Sequence, residues 1–327
     1  MMCATLSVKA QETTQSNTID SIKEARIDEA ALLYPQIRQF TITHQMGMPA
    51  NINAKFRGEG LFKGKLQSAR TNINLNIPLL ELKNSGVVGS IGVIHQFYGL
   101  TDVVNQRPGY VVNDSNSYIP MLSLGMTYSR RDTIFGRSVN FTASVKALVD
   151  PAFNRRQFSF TGLITVPLIQ KQYTRLSLGA VISIDPSSPV PGFLFVNYFH
   201  KFKALDLDLM ADLPFRIALR KPLKKASITA FGELGGSNSF FEFNANNSFP
   251  QDLTFSTFEI KSGLLFEYRM TKKVVFSLSG GALTTATSRI IEKGEKPKNY
   301  LINNKVGTVP FAQVGISILP FWRPFKK

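Results

Sequence analysis

Residues 71–80 read Thr-Asn-Ile-Asn-Leu-Asn-Ile-Pro-Leu-Leu. Side chains of an extended chain alternate between its two faces, so Ile73, Leu75 and Ile77 fall on one side and Asn72, Asn74 and Asn76 on the other. The same period of two returns in Leu176-Ser177-Leu178-Gly179-Ala180-Val181-Ile182-Ser183-Ile184, with even positions apolar. It returns in Val139-Asn140-Phe141-Thr142-Ala143-Ser144-Val145-Lys146, with odd positions apolar, and in Leu205-Asp206-Leu207-Asp208-Leu209, where carboxylates alternate with leucines. The pattern predicts strands near 36–46, 66–78, 86–98, 119–130, 138–149, 157–168, 174–184, 192–201, 204–212, 215–221, 226–236, 256–270, 273–286 and 306–319. That makes about fourteen, with twelve as the alternative, and an even number is what a single-chain bacterial barrel requires. The stretch 52–62 also alternates and is a candidate extension of the first hairpin.

A soluble sandwich alternates as well, but not in so long an unbroken series. No run of about 18 apolar residues occurs, which excludes a transmembrane helix. The other way through a bilayer is a closed barrel, where every backbone polar group is paired between strands. The expected fold is therefore all-β: a transmembrane antiparallel up-and-down β-barrel with short periplasmic turns and long extracellular loops. A composition only 43% hydrophobic suits a barrel whose lumen is as polar as its outside is apolar. With both ends on one side, the links 79–85, 131–137, 169–173, 202–203, 222–225 and 271–272 are short, and 47–65, 99–118, 237–255 and 287–305 are long, beside three further short ones. Placing a turn at Leu213-Pro214-Phe215 sets this parity. Two aromatic girdles are expected at the membrane interfaces. Tyr34, Tyr128, Tyr173, Phe199, Tyr268, Phe321 and Trp322 would form the periplasmic one, and Phe97, Tyr98, Tyr118, Phe158, Phe193 and Phe258 the outer one.

The ends suggest three parts. Residues 1–10 read as the remnant of a signal peptide, with Val8-Lys9-Ala10 resembling a cleavage site; an ordinary N-terminus is the other reading. Residues 11–35 form an N-terminal periplasmic segment in which Ile19, Ile22, Ala25, Ala30 and Leu33 keep helical spacing and Pro35 ends the helix. That segment is either a plug or a leader to the first strand. Residues 36–327 form the barrel. The stretch from Phe311 to Phe325, with Gly315, Ile316, Ile318, Phe321 and Trp322, is similar to the C-terminal signal by which outer-membrane barrels engage the barrel-assembly machinery. It departs from the usual form at Pro320 and in the basic residues Arg323, Lys326 and Lys327 around the last phenylalanine.

Three short tracts carry a family resemblance. Glu29-Ala30-Ala31-Leu32-Leu33-Tyr34-Pro35-Gln36-Ile37-Arg38-Gln39-Phe40, Ala211-Asp212-Leu213-Pro214 and Glu267-Tyr268-Arg269-Met270-Thr271-Lys272-Lys273 together resemble an uncharacterised family of Bacteroidota outer-membrane β-barrels. The resemblance spans about residues 29–327. It implies a location in the bacterial outer membrane and no established activity, and it supplies no catalytic residues.

Charge narrows the partners. The formal net charge is +16 in 327 residues, which favours anionic partners: outer-membrane lipid or an anionic solute. The basic residues are scattered over turns and loops with no basic helix or aromatic-basic motif, so nucleic acid is not expected. The single cysteine, Cys3, leaves no disulfide framework and no thiolate metal site. His44, His95 and His200 lie on different strands without metal-ligand spacing, so neither metal nor cofactor is expected.

The segment 204–225 is the strongest candidate for function. Across a hairpin turning at Leu213–Phe215, Asp212 faces Arg216 and Asp208 faces Arg220, all four pointing into the lumen with Asp206. Glu259, Lys261, Glu267 and Arg269 share one face of their strand, and Lys146 joins from another. Such a cluster is either a charged constriction that selects solute or internal ion pairing that stiffens a closed barrel. Lys55, Arg57, Lys63, Lys65, Arg155 and Arg156 in the loops are candidates for contact with lipid phosphates or anions. The expected function is passive passage or uptake of a small solute, an anion among the candidates, by a protein that is not an enzyme. The alternatives are a non-conducting structural or surface-binding barrel and, behind it, an outer-membrane lipid-modifying enzyme.

Overall fold

The computed structural model describes residues 22, 24–185, 191–241, 252–292, 295, 298–321 and 325–326. Fourteen antiparallel strands close into a barrel. In chain order they are β1, in two segments (Phe40–Gly47 and Ala50–Phe56), β2 (Glu59–Glu81), β3 (Ser85–Asn105), β4 (Ser115–Ile134), β5 (Arg137–Val149), β6 (Arg156–Gln170) and β7 (Thr174–Ile184). There follow β8 (Gly192–Phe202), β9 (Leu207–Leu213), β10 (Arg216–Pro222), β11 (Ala226–Phe241), β12 (Leu253–Arg269), β13 (Val274–Glu292) and β14, in two segments (Ile302–Val306 and Val309–Ile318). Each strand pairs with the next, and β1 pairs with β14 to close the cylinder, Phe40 opposite Ile318 and Phe56 opposite Ile302. Phe325–Lys326 adds a short parallel pairing beside the periplasmic end of β2.

The two faces expected from the alternation are present. Thr41 and Thr43 of β1 lie opposite Asn74 and Asn72 of β2, and all four line the interior. The other face carries an exposed belt of Ile, Leu, Val, Phe and Met, including Ile91, Leu124, Val145, Ile164, Ile182, Ile217, Leu264 and Ile316. A belt of this extent fits a lipid solvent and not water, and it places the barrel in the bacterial outer membrane. Among the described residues no helix is long and apolar enough to cross a membrane.

The links at 82–84, 135–136, 171–173, 203–206, 223–225 and 270–273 are short and lie on the side of both chain ends, the periplasmic side. On the outer side strands run into every expected long loop, to Asn105 and from Ser115, to Phe241 and from Leu253, and to Glu292 and from Ile302. The supposed loop 47–65 is strand almost throughout, turning at Arg57 and Gly58 with φ of +49° and +93°, the two left-handed residues of a tight hairpin turn. The alternation at 52–62 therefore belongs to the barrel wall.

Strand length is uneven around the barrel. The wall from β1 to β4 and from β11 to β14 is tall, with 23 residues in β2 and 19 in β13. The opposite wall falls to seven residues each in β9 and β10. Above the membrane the tall walls fold onto each other. An extra residue between Met46, opposite Ala69, and Ala50, opposite Leu66, switches which positions of β1 face inward. The polar inward series Thr41, Thr43, Gln45 becomes the apolar series Ala50, Ile52, Ala54, Phe56. Ile52, Ala54 and Phe56 pack with Phe62, Leu253, Phe255, Ile290 and Ile302 into one buried core that pinches the outer end of the barrel.

The lipid and lumen faces of the wall generate a prediction. Leu264→Arg, on the outward face of β12, should cost about 2–4 kcal/mol, the range for a cation near the bilayer midplane. Asn72→Arg, on the inward face of β2, should cost clearly less. Urea unfolding from lipid vesicles, followed by the gel shift of the folded barrel, measures both.

Candidate functional site

The lumen is obstructed at both ends by different chemistry. At the periplasmic end residues 24–33 form a helix, α1. Ala31 packs on Val275 and Leu319, and Leu33 on Phe199, Met210 and Ala218. The last carbonyls of a helix lack partners inside it, and here the barrel supplies them. Ala31 O accepts from Arg38 Nε at 2.9 Å and Leu33 O from Arg216 Nη1 at 3.1 Å. Both donors are guanidinium groups, which also suits the negative end of the helix dipole. Arg38 is 3% exposed; it donates further to Ser317 Oγ at 2.9 Å and pairs with Glu267 at 2.7 Å. At the other end of α1, Lys273 Nζ lies 2.7 Å from Glu24 and 2.9 Å from Asp28.

Beside and above the helix the inward charges pair strand to strand. Arg220 meets Asp208 at 3.3 Å, Lys261 meets Glu233 at 3.2 Å, and Arg70 reaches across to Glu259 at 3.0 Å. Glu259 also accepts from Thr257 Oγ1 at 2.8 Å. Asp212 lies opposite Arg216 as expected, but it accepts from Asn197 while Arg216 turns to the helix. Between these pairs the interior keeps open space. One space of about 420 Å³ borders the helix at Glu29, Leu32 and Leu33, and one of about 430 Å³ lies beside Pro35, Gln36 and Arg38. A larger one of about 860 Å³ lies below and beside the outer pinch. Arg70, Lys146, Arg289 and Asp185 supply its charges, with Ile94, Leu148, Phe193, Phe215 and Phe258 among its apolar walls.

The residues expected in one lumen cluster are thus spread over several levels. Asp208 and Arg220 sit near the periplasmic mouth, and Arg269 lies there too, exposed. Arg216, Lys261 and Glu267 border the middle space, and Lys146 the outer one. Asp206 is not in the lumen. It is the last residue of the 203–206 turn, at φ +48°, and pairs with Lys201 at 3.1 Å; the strand starts at Leu207, two residues later than the leucine–aspartate alternation suggests.

Of the loop cations, Lys55, Lys63 and Arg156 are exposed. Arg57 lies over the Phe56 ring at 5.4 Å, Lys65 pairs with Asp102 at 2.9 Å and Arg155 with Asp252 at 3.2 Å. Among the expected girdle residues, Tyr98, Phe193 and Phe199 turn inward: Tyr98 packs on Phe255 at 5.1 Å and Phe193 on Phe215 at 5.1 Å. Trp322 and residues 1–10 lie outside the described residues. Sequence reasoning missed Arg38, Arg70 and Glu233. Counting back by twos from Asn72 would have found Arg70, and extending the Asp212–Arg216 register to β11 would have found Glu233. No periodic signal marked Arg38, which precedes the first strand.

No family model matches the sequence, and no curated protein matches it. Solved structures similar to it include the following outer-membrane proteins. An outer membrane channel of Pseudomonas putida F1, COG4313, is 8% identical, with 86% of this chain and 96% of that one covered and a TM-score of 0.36. The P. putida toluene transporter TodX is 11% identical over 88% and 93%, TM-score 0.35. The Salmonella typhi outer membrane phospholipase OMPLA is 11% identical over 84% and 90%, TM-score 0.31.

Docking of α1 should depend on pH. Burial of Lys273, which lies in a periplasmic turn, lowers its pKa, but hydrogen bonds and charge from Glu24 and Asp28 outweigh it and leave the value raised above the ordinary 10.5. A raised lysine pKa stabilises the docked state fully below about pH 10.5, and that contribution is lost as pH climbs through the higher docked value. Hydrogen exchange of residues 24–33 should accelerate over that alkaline window in the wild type. Lys273→Met should show the faster exchange already at pH 7.

Proposed function

We propose that this outer-membrane barrel takes up a small anionic solute, with α1 as its periplasmic stopper, and performs no chemistry on it. The observation that carries this reading is the outer space bordered by Lys146, Arg70 and Asp185, where Arg70 is held by Glu259 and Lys146 makes no ion pair among the described residues. Cations held in a low-dielectric cleft concentrate anions from solution. The histidines favour transport over hydrolysis. His44 and His200 hold Thr71 and Thr174 at 2.8 Å, and His95 packs near Tyr118. By register all three belong to the outward face, away from the lumen.

A second reading, a barrel that conducts nothing and serves as structure or binding surface, is supported by the ion pairs that cross the lumen and by the seated helix. On either reading Lys63 and Lys305, both opposite Asn53, form with Lys55 an outward basic patch suited to phosphates of outer-leaflet lipid.

Planar bilayers under a salt gradient separate the two. The full chain should stay mostly closed. Lys273→Met combined with Arg216→Met should loosen α1 and give steps whose reversal potential favours anions, and Lys146→Glu added to that pair should move the potential toward cations. Silence of all three, with no uptake of small radiolabelled carboxylates by proteoliposomes, would sink the uptake reading.

A further inference from the structure

The barrel wall has a gap. Pairing between β8 and β9 stops at Val196 opposite Leu213, and pairing between β10 and β11 stops at Arg216 opposite Glu233. Beyond those rungs β8 runs on to Gly192 and β11 to Phe241, and among the described residues the two do not pair with each other. One further bond, Leu234 N to Phe215 O at 2.7 Å, ties β11 to the hairpin turn. At roughly 3.3 Å per residue the gap is about 25 Å high along β11 and about 13 Å along β8. Pro214 and Phe215 form its sill.

The outer cavity passes through this gap. Gly235 and Ser237 belong to the inward face of β11, and Leu234 and Gly236 to the outward face, yet all four line the cavity. A space confined to the lumen touches one face of a strand; one that touches both has gone around the strand's free edge. Outside the gap the neighbouring surface is apolar: Leu194 is 81% exposed, and Leu213 and Ile182 face the same way. The opening therefore meets lipid. Inside, the aromatic pair Phe193 and Phe215 lies at the sill and the cations Arg70 and Lys146 lie at the inner end.

We infer that the gap is a lateral portal, through which a single-chain amphiphile with an anionic head moves between the outer leaflet and the cavity. This rests on the uptake reading and names its substrate class and its route. The apolar chain lies along Phe193, Phe215, Leu234 and Phe258, and the head reaches Arg70 and Lys146. A volume of about 860 Å³ is within the ~300–1,000 Å³ of sites that enclose one small ligand, which suits one chain and not a multi-chain lipid.

Fluorescence quenching by brominated phospholipid tests the portal without requiring transport. In a Trp322→Phe background the reporters are Gly235→Trp and the conservative Phe215→Trp. A Cβ at Gly235 meets nothing within 4 Å, so the side chain has room. Both should lose as much fluorescence as Leu264→Trp on the lipid face, and far more than Gln313→Trp in the lumen. Added dodecanoate should relieve the quenching at Phe215→Trp saturably, and dodecyltrimethylammonium should not. Quenching no greater than at Gln313→Trp overturns the portal, even if the protein conducts ions. Quenching that dodecanoate does not relieve means a resident lipid tail fills the gap, and overturns it as a substrate route. Equal relief by the cationic amphiphile overturns the assignment of an anionic head. Quenching relieved by dodecanoate upholds the portal even if every bilayer recording is silent.

Discussion

A backbone in hydrocarbon must pair every N–H and C=O with itself, and the rest of this structure follows from how the chain meets that demand. The sheet closes through β1 on β14, a long-range pairing between the two ends of the chain. Closure does not hold at every height. Above β9 and β10, among the described residues, the facing edges of β8 and β11 have no strand partner. The tall wall responds by leaning inward: β11 touches β4 across the lumen, and its free edge faces a cavity that holds Ser237, Asn238 and Thr257. Polar side chains thus border the inner side of the free edge of β11.

The same physics governs the inward charges. A carboxylate such as Glu267, buried to 5% exposure, is costly unless matched, and a broken buried pair typically costs more than the intact pair contributes. Arg38, Arg70 and Arg220 each carry such a match. The pairs join distant elements: Arg38 precedes the first strand and Glu267 lies on the twelfth. They act as cross-braces for the fold as well as features of the lumen. Lys146 differs, since among the described residues it makes no ion pair and it borders the outer cavity.

What was legible in the sequence was what repeats. Period-two alternation located every strand, and the hairpin at Leu213–Phe215 placed Asp212 opposite Arg216 and Asp208 opposite Arg220 in the observed register. Links with no periodic signal were harder. The stretch 47–65 resembled a loop because the extra residue between Met46 and Ala50 shifts the phase of the alternation, breaking one strand into two half-patterns. The three-level division of the charges was hidden for another reason. Alternation fixes which face a side chain takes, whereas its height and partner depend on the shear of the closed sheet. Inward-facing aromatics such as Phe199 were misplaced because their partner, Leu33, comes from a helix outside the repeating pattern.

The unequal walls connect the pinch to the portal. Strands that rise past their neighbours need a second layer to bury their apolar face, and the nearest layer is the opposite tall wall. Ile52, Phe56 and Phe62 therefore meet Leu253, Phe255 and Ile302, and their contact narrows the path down the barrel axis. The short wall lacks the residues to follow them, so the space displaced from the axis opens sideways over Phe215. One asymmetry in strand length, set by the early turn at Pro214, both narrows the axial route and creates the lateral one.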